Sequence, residues 1–452
     1  MNQTQDTVLR WFLSHFTDLR SAFFLSFREL FENAIDAVTE CENKMIEINI
    51  EQHDEYETSQ AIQNLLASPL SSSHVDFLHC DPVLVTMTIS DSGHGIPAQE
   101  MPSLLGKLFT STKGNDIDPE AETTGLYGLG AKFAAVWAFL SSGVPAEVLS
   151  TTLGDLSMHH MAWTVSGHAP TTKLASTPCP TSLEGTTIRV VAIADQTALR
   201  DIDSYLDLWR VGAGPIGVRY GGVVSDPVDM GVAARALCHR MPHPLHTVAA
   251  EYGPFTVLCV ASLSTLPNNG KTAVHVYRLA NGVPLGPKTS CDLMCAMRQF
   301  SRALGLGPTQ WKAVELNSSF DSLKSECQPV PGLHSLSVFI VASGVRFSNA
   351  MKRSVILNNK QKSDLRKAHK SAVDSLLQAC PSIEDPATKD AKLVRSVHLP
   401  QLAASVCDIV VNGSPELQRS VLGKLAIPEP VDYATLYETV LEKLCAKASV
   451  PL

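Results

Sequence analysis

A strand, a tight glycine turn and a glycine-rich segment that opens a helix follow one another in the first third of the chain, and this succession constrains the fold most. Residues 83–89 are apolar and largely β-branched, which is typical of a buried strand. The strand leads into Asp91-Ser92-Gly93-His94-Gly95, and Gly125-x-x-Gly128-x-Gly130 later opens an apolar helix over residues 133–140. Backbone N–H groups and the positive helix end at such a segment form a cradle for an anion. The glycine spacing is neither the dinucleotide-binding pattern nor a P-loop.

One further residue pair and one single carboxylate suggest chemistry. Glu29 and Asn33 lie four residues apart in a helical pattern over residues 8–40, so they share one helix face. A carboxylate there can orient and deprotonate a water, and an amide oxygen one turn later can hold a hard cation such as Mg²⁺. Asp91, at a strand end, can accept a hydrogen bond from an exocyclic amine. Each motif alone is more often an ordinary helix, turn or loop, so only their combination is informative.

The composition narrows the class of protein. The chain has 452 residues, a net charge of −9 and 44% hydrophobic residues, which suggests two or three folded domains rather than a disordered chain. No apolar run is long enough to span a membrane, and the N-terminus lacks a secretory pattern. The 11 cysteines contain no CxxC pair, which favours reduced thiols in the cytosol or nucleus.

In this order and spacing, the motifs resemble the Bergerat (GHKL) ATP-binding fold shared by gyrase, MutL, the ninety-kilodalton heat-shock chaperones and histidine kinases. Gly185-Thr186-Thr187, entering a strand, resembles the last nucleotide motif of that family. The resemblance implies ATP and Mg²⁺ as cofactors, Glu29 as the catalytic base, Asn33 as the metal ligand and Asp91 as the adenine ligand. The other nucleotide contacts that it implies are Asp36, Gly93, Gly95, Ile96, Ser111, Thr112, Lys113, Gly125, Leu126, Tyr127, Gly128, Leu129, Gly130, Ala131, Lys132 and Thr186.

Within that superfamily, the chain resembles the B subunit of topoisomerase VI. Residues 28–37 read Arg-Glu-Leu-Phe-Glu-Asn-Ala-Ile-Asp-Ala, and residues 104–113 also look like that protein. Residues 276–285, Val-Tyr-Arg-Leu-Ala-Asn-Gly-Val-Pro-Leu, are close to a run in its transducer domain. Residues 338–352 are similar to a second transducer segment, and this match implies that Lys352 is the switch lysine that reaches the γ-phosphate.

The expected fold class is α+β: a GHKL ATPase α/β sandwich, a transducer-type α+β domain and a helical C-terminal region. We expect the ATP-binding domain over residues 1–224, with a surface insertion at 51–80, and the transducer over 251–380. Residues 225–250 are expected to be a short linker in place of the helix-two-turn-helix domain of archaeal members. Residues 381–452 are expected to be helical and to dock an A subunit.

The resemblance further implies a type IIB topoisomerase component that hydrolyses ATP while the cleavage tyrosine lies on a partner. The partners would be an A-type subunit or the related meiotic transesterase, double-stranded DNA and a second copy, in an A2B2 assembly without a membrane. The expected location is the nucleus, or the cytoplasm of a prokaryote. A non-catalytic scaffold and a chaperone- or MORC-like ATPase remain alternatives.

Three features stay open. The basic stretch 344–370 suits DNA phosphates or a solvated helix face, and the apolar C-terminal helices suit a small core or a partner interface. A zinc site at Cys238, His239, His243 and His246 lacks evident tetrahedral pairing.

Overall fold

The structure is a computed structural model without bound ligands. It describes residues 19–67, 81–106, 130–166, 169–178, 184–238, 245–263, 272–285, 291–306, 312–313, 323–327, 330, 332–347, 355–383, 393–426 and 432–447.

The first unit is built on an eight-stranded sheet. Its strands in chain order are β1 (Met45–Gln52), β2 (Pro82–Asp91), β3 (Ala146–Thr151), β4 (Ser157–Ser166), β5 (Ala169–Pro178), β6 (Gly185–Asp195), β7 (Gly217–Tyr220) and β8 (Val223–Ser225). Their order across the sheet is β5-β4-β3-β6-β2-β1-β7-β8, and only the β1–β7 pair is parallel. Asp91 and Gly185 therefore lie at the ends of two paired strands, which brings two predicted nucleotide motifs together.

Helices cover the sheet with an aromatic core. These are α1 (Leu19–Val38), α2 (Glu55–Ala67), α3 (Met101–Gly106), α4 (Gly130–Ser142) and α5 (Gln196–Trp209). On α1 the Phe27 and Phe31 rings stack at 5.6 Å, and Phe31 meets the Trp209 ring edge-on at 5.0 Å. Such pairs add to the stabilisation from burial, so α1 is held firmly beneath the site.

Helix α2 lies within the segment 51–80, which is expected to be a surface insertion, and one face of it is packed. Ala61 and Leu65 on this helix are buried in the main core. The segment is rich in polar residues, but its few apolar side chains recur three to four residues apart and form one packed face. Residues 68–80 lie outside the described residues.

The second unit is a mixed sheet with helices against both of its faces. Its strands are β9 (Leu245–Tyr252), β10 (Phe255–Leu263), β11 (Thr272–Ala280), β12 (Val283–Pro284), β13 (Lys312–Ala313), β14 (Leu323–Cys327) and β15 (Leu333–Ala342). The order is β13-β14-β11-β15-β10-β9, and β12 pairs with β11. Helices α6 (Met230–Leu237), α7 (Met297–Ala303) and α8 (Asn359–Ala379) accompany it, together with the β16 (Arg346–Phe347) and β17 (Val355–Ile356) hairpin.

The stretch 225–250 differs from a plain linker because it contains α6 and most of β9. A hydrophobic cluster connects the two units across it: Leu208 and Val211 at the end of α5 pack with Leu279 and Phe339 of the second sheet. The first and second units therefore share a buried contact.

The C-terminal helices form a small cluster of their own. They are α9 (Leu399–Asn412), α10 (Pro415–Leu425) and α11 (Tyr433–Lys447), which pack around Ala403, Cys407 and Val440. Within the described part of the chain, no helix combines the length and apolar character needed to cross a bilayer. The eight cysteines whose side chains are described are free thiols.

Candidate functional site

A single half-exposed stripe runs along the otherwise buried helix α1. From residue 22 to residue 38, only Glu29, Asn33, Asp36 and Ala37 are half-exposed, and every other side chain is buried. Their spacing of four, three and one places them on one face. The predicted base and the predicted metal ligand therefore share an accessible surface, as their spacing indicates.

Asp91 closes the glycine turn at one end of this stripe. Its Oδ1 accepts hydrogen bonds from the backbone N–H groups of Gly93 at 2.9 Å and Thr186 at 3.3 Å. Among the described residues, Oδ2 has no hydrogen-bond partner. Burial raises the pKa of Asp91 to about 6, although these two N–H groups oppose the shift. The carboxylate thus has one oxygen committed to the fold and one available for a donor such as an amine.

The glycines at this turn are required by close packing. A Cβ built on Gly93 would lie 2.7 Å from the Cβ of Ala37, so the turn rests directly on the stripe of α1. Gly95 has a φ of +68° and faces the carbonyl of Thr151, and Gly185 packs against the carbonyl of Asp91. Any side chain at these positions would push the turn away from its neighbours.

Ser150 is a residue of this site that the sequence does not reveal. Its hydroxyl accepts from the backbone N–H of Ile96 at 2.6 Å and lies 3.0 Å from the Thr186 hydroxyl. Ser150 pairs with Thr186 across strands β3 and β6, and that register becomes visible only in the folded sheet. Ser150 therefore fixes both the end of the glycine turn and the threonine predicted to contact the nucleotide.

Helix α4 begins against the carboxylate of Glu29. A Cβ built on Gly130, at this first helical position, would overlap with Glu29 Oε2, so a larger residue here would displace the Glu29 carboxylate. The N-terminus of α4 and the predicted base are therefore adjacent. Lys132, two residues on, is buried, and burial lowers its pKa to about 8. Ala131 is half-exposed beside it.

Arg28, Glu32 and Tyr205 are a second set that sequence reasoning missed. Arg28 contacts the carboxylates of both Glu29 and Glu32, and the Tyr205 hydroxyl donates to Glu32 at 3.2 Å. Burial alone would lower the pKa of Arg28, but the carboxylates of Glu32 and Glu29 outweigh it and raise the pKa. The contact spans two helices that are far apart in sequence, so no local pattern could have indicated it.

The donor set at Asn33 fits a magnesium ion. Asn33 is half-exposed and has no hydrogen-bond partner among the described residues, so its amide oxygen is open to a cation. Mg²⁺ is commonly held by one or two protein oxygens together with phosphates and waters. Within the described residues there is no cluster of three or more His, Cys, Asp or Glu that could hold a metal by itself, and the two described members of the proposed zinc set, Cys238 and His246, belong to no such cluster.

Two parts of the predicted site lie outside the described residues. These are the segment with Ser111, Thr112, Lys113, Gly125, Leu126, Tyr127, Gly128 and Leu129, and the switch lysine Lys352. The two transducer motifs are nevertheless neighbours: β11 runs parallel to β15, and Asn281 exchanges hydrogen bonds of 2.8 and 3.1 Å with the backbone of Val345. The described part of the second motif ends at Phe347.

Comparison with known proteins gives B subunits of topoisomerase 6 among the similar sequences. The DNA topoisomerase 6 B subunit of Oryza sativa subsp. indica is 36% identical over 69 residues, which are 15% of this chain and 9% of that protein. The protein of the same name from Arabidopsis thaliana is 24% identical over 181 residues, covering 31% and 26%. The type 2 DNA topoisomerase 6 B subunit of Saccharolobus solfataricus is 26% identical over 147 residues, covering 32% and 22%. The matches thus span about a quarter or less of these relatives' own length.

Solved structures agree on the fold. The ATPase region of Saccharomyces cerevisiae topoisomerase II superposes with a TM-score of 0.50 at 14% identity, over 78% of this chain and 83% of that one. No family model matches the chain. At 14% identity the structural likeness concerns the fold alone. The sequence similarity is to topoisomerase 6 B subunits. Parts of this chain are similar in sequence to topoisomerase 6 B subunits, and its fold is similar to that of the ATPase region of topoisomerase II.

Proposed function

We propose that this chain is an ATP-binding and ATP-hydrolysing B-type subunit of a topoisomerase VI-like complex. The observation that carries the proposal is the polar stripe of α1, which runs from Gly130 at the start of α4 to the Asp91 turn. A catalytic carboxylate, a metal-binding amide and an amine acceptor lie along one surface in that order. The order matches a nucleotide laid along the helix, with its phosphates near Glu29 and its base near Asp91.

Each described residue has a role in this proposal. Asp91 Oδ2 accepts from the adenine amine, and Gly93 allows the ring to lie against the backbone. Asn33 would hold Mg²⁺, which neutralises phosphate charge when it is bound. Glu29 orients and deprotonates the attacking water. The N–H groups at the start of α4 face the phosphates, which suits both the anion and the helix dipole.

The proposal extends to residues outside the described part of the chain. The glycines from Gly125 to Gly130 would close over the phosphates, and Lys352 would reach the γ-phosphate from the transducer unit. Because Lys352 belongs to a different unit from Glu29, the presence of a γ-phosphate would bias the angle between the two units. ATP-dependent dimerisation and control of double-strand cleavage by a partner A subunit would follow from that movement.

Two surfaces suit the proposed partners. On α8, Lys360, Arg366 and Lys370 are exposed, which suits contact with DNA phosphates. On α9, Leu402 and Ile409 are each 48% exposed and lie seven residues apart on one face. This apolar face favours docking of the A-type subunit.

Nucleotide binding is the first test. A fluorescent ATP analogue should bind the full chain, and Mg²⁺ should tighten the binding. The Asn33→Ala variant should bind the analogue with little response to Mg²⁺, because it lacks the amide oxygen. A wild-type chain that binds no nucleotide would contradict the proposal and favour the scaffold alternative.

Partner binding is the second test. The full chain carrying Leu402→Glu and Ile409→Glu should lose co-purification with an A-type subunit. The matched control carries Leu153→Glu and Leu156→Glu, which change two exposed leucines of the first unit, at 77% and 69% exposure. Equal co-purification of both double variants would refute docking through α9.

A further inference from the structure

A buried network of charges lies directly beneath the Glu29 carboxylate. Arg28 donates from Nη2 to Glu29 Oε1 at 3.1 Å, and its Nε lies 3.3 Å from Glu32 Oε1. The Tyr205 hydroxyl, on α5, donates to the same Glu32 oxygen at 3.2 Å. Glu32 and Tyr205 have no exposed surface, and Arg28 is 7% exposed. These three residues are too buried to contact a nucleotide, yet one of them touches the carboxylate that can.

In this network one positively charged side chain contacts two negatively charged ones. One guanidinium faces two carboxylates, of which Glu32 is fully buried and Glu29 is accessible. A buried carboxylate needs a cation nearby, and Arg28 supplies it to Glu32. The second contact of Arg28, with Glu29, favours the ionised form of that carboxylate, which is the form a base requires.

The network also fixes the direction of Glu29. With Oε1 held by Arg28, Oε2 is the oxygen that packs against Gly130 at the start of α4. The carboxylate is therefore fixed on both sides, and Oε2 is the oxygen directed to the end of the glycine-rich segment. That is where the phosphates of the proposed nucleotide would lie.

We propose that Arg28 is a positioning residue that keeps Glu29 ionised and aimed at the attacking water, and that Glu32, held by Tyr205, limits how strongly Arg28 acts on Glu29. This inference rests on the proposed ATPase function. The inference adds to that function a way of setting the basicity of Glu29. Residues in the core set it, and these residues do not contact the substrate.

Described groups that act electrostatically on Glu29 lie on two helices. Arg28 and Glu32 lie on α1, and Tyr205 approaches from α5. Lys132 is the titratable residue nearest in sequence to Gly130 on α4. Gly93, two residues after Asp91, sits against Ala37, about two helical turns from Glu29.

The test compares variants that differ only at Arg28. Arg28→Met alone would remove the cation that contacts the buried Glu32 carboxylate, so it is expected to destabilise the fold. Glu32→Gln keeps an oxygen that can accept from Tyr205 and removes the competing charge. Arg28→Met/Glu32→Gln then removes the cation without stranding a buried carboxylate, and Glu32→Gln is its matched control.

The titration of Glu29 is read directly by carbon NMR. In the full chain labelled with ¹³C at the glutamate carboxyl, the signal lost in Glu29→Gln identifies Glu29. We expect its pKa to fall in Glu32→Gln relative to wild type. In Arg28→Met/Glu32→Gln it should rise by ~1–3 units above that control, which is the typical effect of an adjacent opposite charge.

Hydrolysis gives a second readout. The acid limb of the kcat profile should move in the same directions as the NMR titration, while KM for ATP stays constant because Arg28 does not reach the nucleotide. Arg28→Lys/Glu32→Gln retains the positive charge at position 28. Its Glu29 pKa and its kcat profile should therefore return most of the way to those of Glu32→Gln.

The outcomes separate the two proposals. Equal pKa values of Glu29 in the control and in the double variant, with both folded, would reduce Arg28 to a structural role. A wild-type chain without ATP hydrolysis would refute the proposed function, whereas the NMR titration in the nucleotide-free protein would still decide whether Arg28 sets the ionisation of Glu29.

Discussion

Replacing Asp91 with Asn should weaken nucleotide binding and, at the same time, stabilise the nucleotide-free protein. The substitution is nearly isosteric, and the amide oxygen can still accept from the N–H groups of Gly93 and Thr186. The turn should therefore keep its shape. What changes is the charge, and the replacement of the unengaged Oδ2 by an NH₂ group.

The effect on stability follows from the raised pKa. Burial moves the pKa of Asp91 from 3.8 to about 6, so the folded protein holds this proton more tightly than the unfolded chain. Stability is therefore lost as the pH rises from ~4 to ~6, because the unfolded chain ionises first. Two pKa units correspond to about 3 kcal/mol, and partial exposure of the carboxylate reduces this to about 1–2 kcal/mol. The Asn variant should melt ~2–8 °C higher than wild type at pH 7.5, and at the same temperature near pH 4.

The effect on binding has the opposite sign. An Asn that presents N–H₂ to the adenine amine leaves a mismatched polar pair, which costs about 1–3 kcal/mol, so affinity should fall at least ~10-fold. In the wild type, a carboxyl with a pKa of about 6 is only ~10% ionised at pH 5, so its affinity should fall ~10-fold between pH 7.5 and pH 5. The variant should lack this part of the pH dependence.

Calorimetric titration with a non-hydrolysable ATP analogue at pH 5, 6 and 7.5 measures the binding, and thermal melting without nucleotide measures the stability. Protonation of the nucleotide phosphates affects binding to both proteins equally. Subtracting the binding free energy of the variant from that of the wild type at each pH therefore removes this contribution. If the variant binds as tightly as wild type, Asp91 does not contact adenine and the adenine site lies elsewhere. A variant that melts lower than wild type at pH 7.5 would refute the burial of the Asp91 charge.

Two further predictions concern the phosphate end of the site. Gly130→Ala should lower turnover at least ~10-fold in steady-state assays, because its Cβ would overlap with the Glu29 carboxylate, whereas Gly423→Ala, with open space around its Cβ, should have no effect. Lys352→Ala should weaken ATP binding far more than ADP binding, because ADP lacks the γ-phosphate, while Arg353→Ala should do much less; equal losses in both variants would assign Lys352 to the general basic surface.

The sequence was sufficient to predict those parts of the site in which local backbone or helix geometry requires a particular residue type. Gly93 and Gly95 lie where close contacts leave no room for a Cβ, and the family resemblance implied both positions. The polar positions of α1 were equally predictable, because an interrupted apolar pattern marks the accessible face of a helix. The long β2 and β6 strands were also predictable, because they are apolar runs with a glycine motif at one end.

The parts that could not be predicted depend on register and on distant contacts. Ser150 is one serine among many until β3 pairs with β6 and places it beside Thr186. The Arg28–Glu32–Tyr205 network joins residues 173 positions apart, at Glu32 and Tyr205. The Ser150 contacts and the Arg28–Glu32–Tyr205 network both depend on tertiary packing. Tertiary packing leaves no periodic pattern of residues in a single sequence.

The central claim is that Glu29 is the base of an ATPase. The most direct test is single-turnover hydrolysis of ATP by the full chain and by Glu29→Ala, with nucleotide affinity measured on the same samples. We expect unchanged binding and a rate at least ~100-fold lower in the variant. Equal rates would remove Glu29 from the mechanism, and a wild type that binds ATP without hydrolysing it would contradict the account and favour a scaffold.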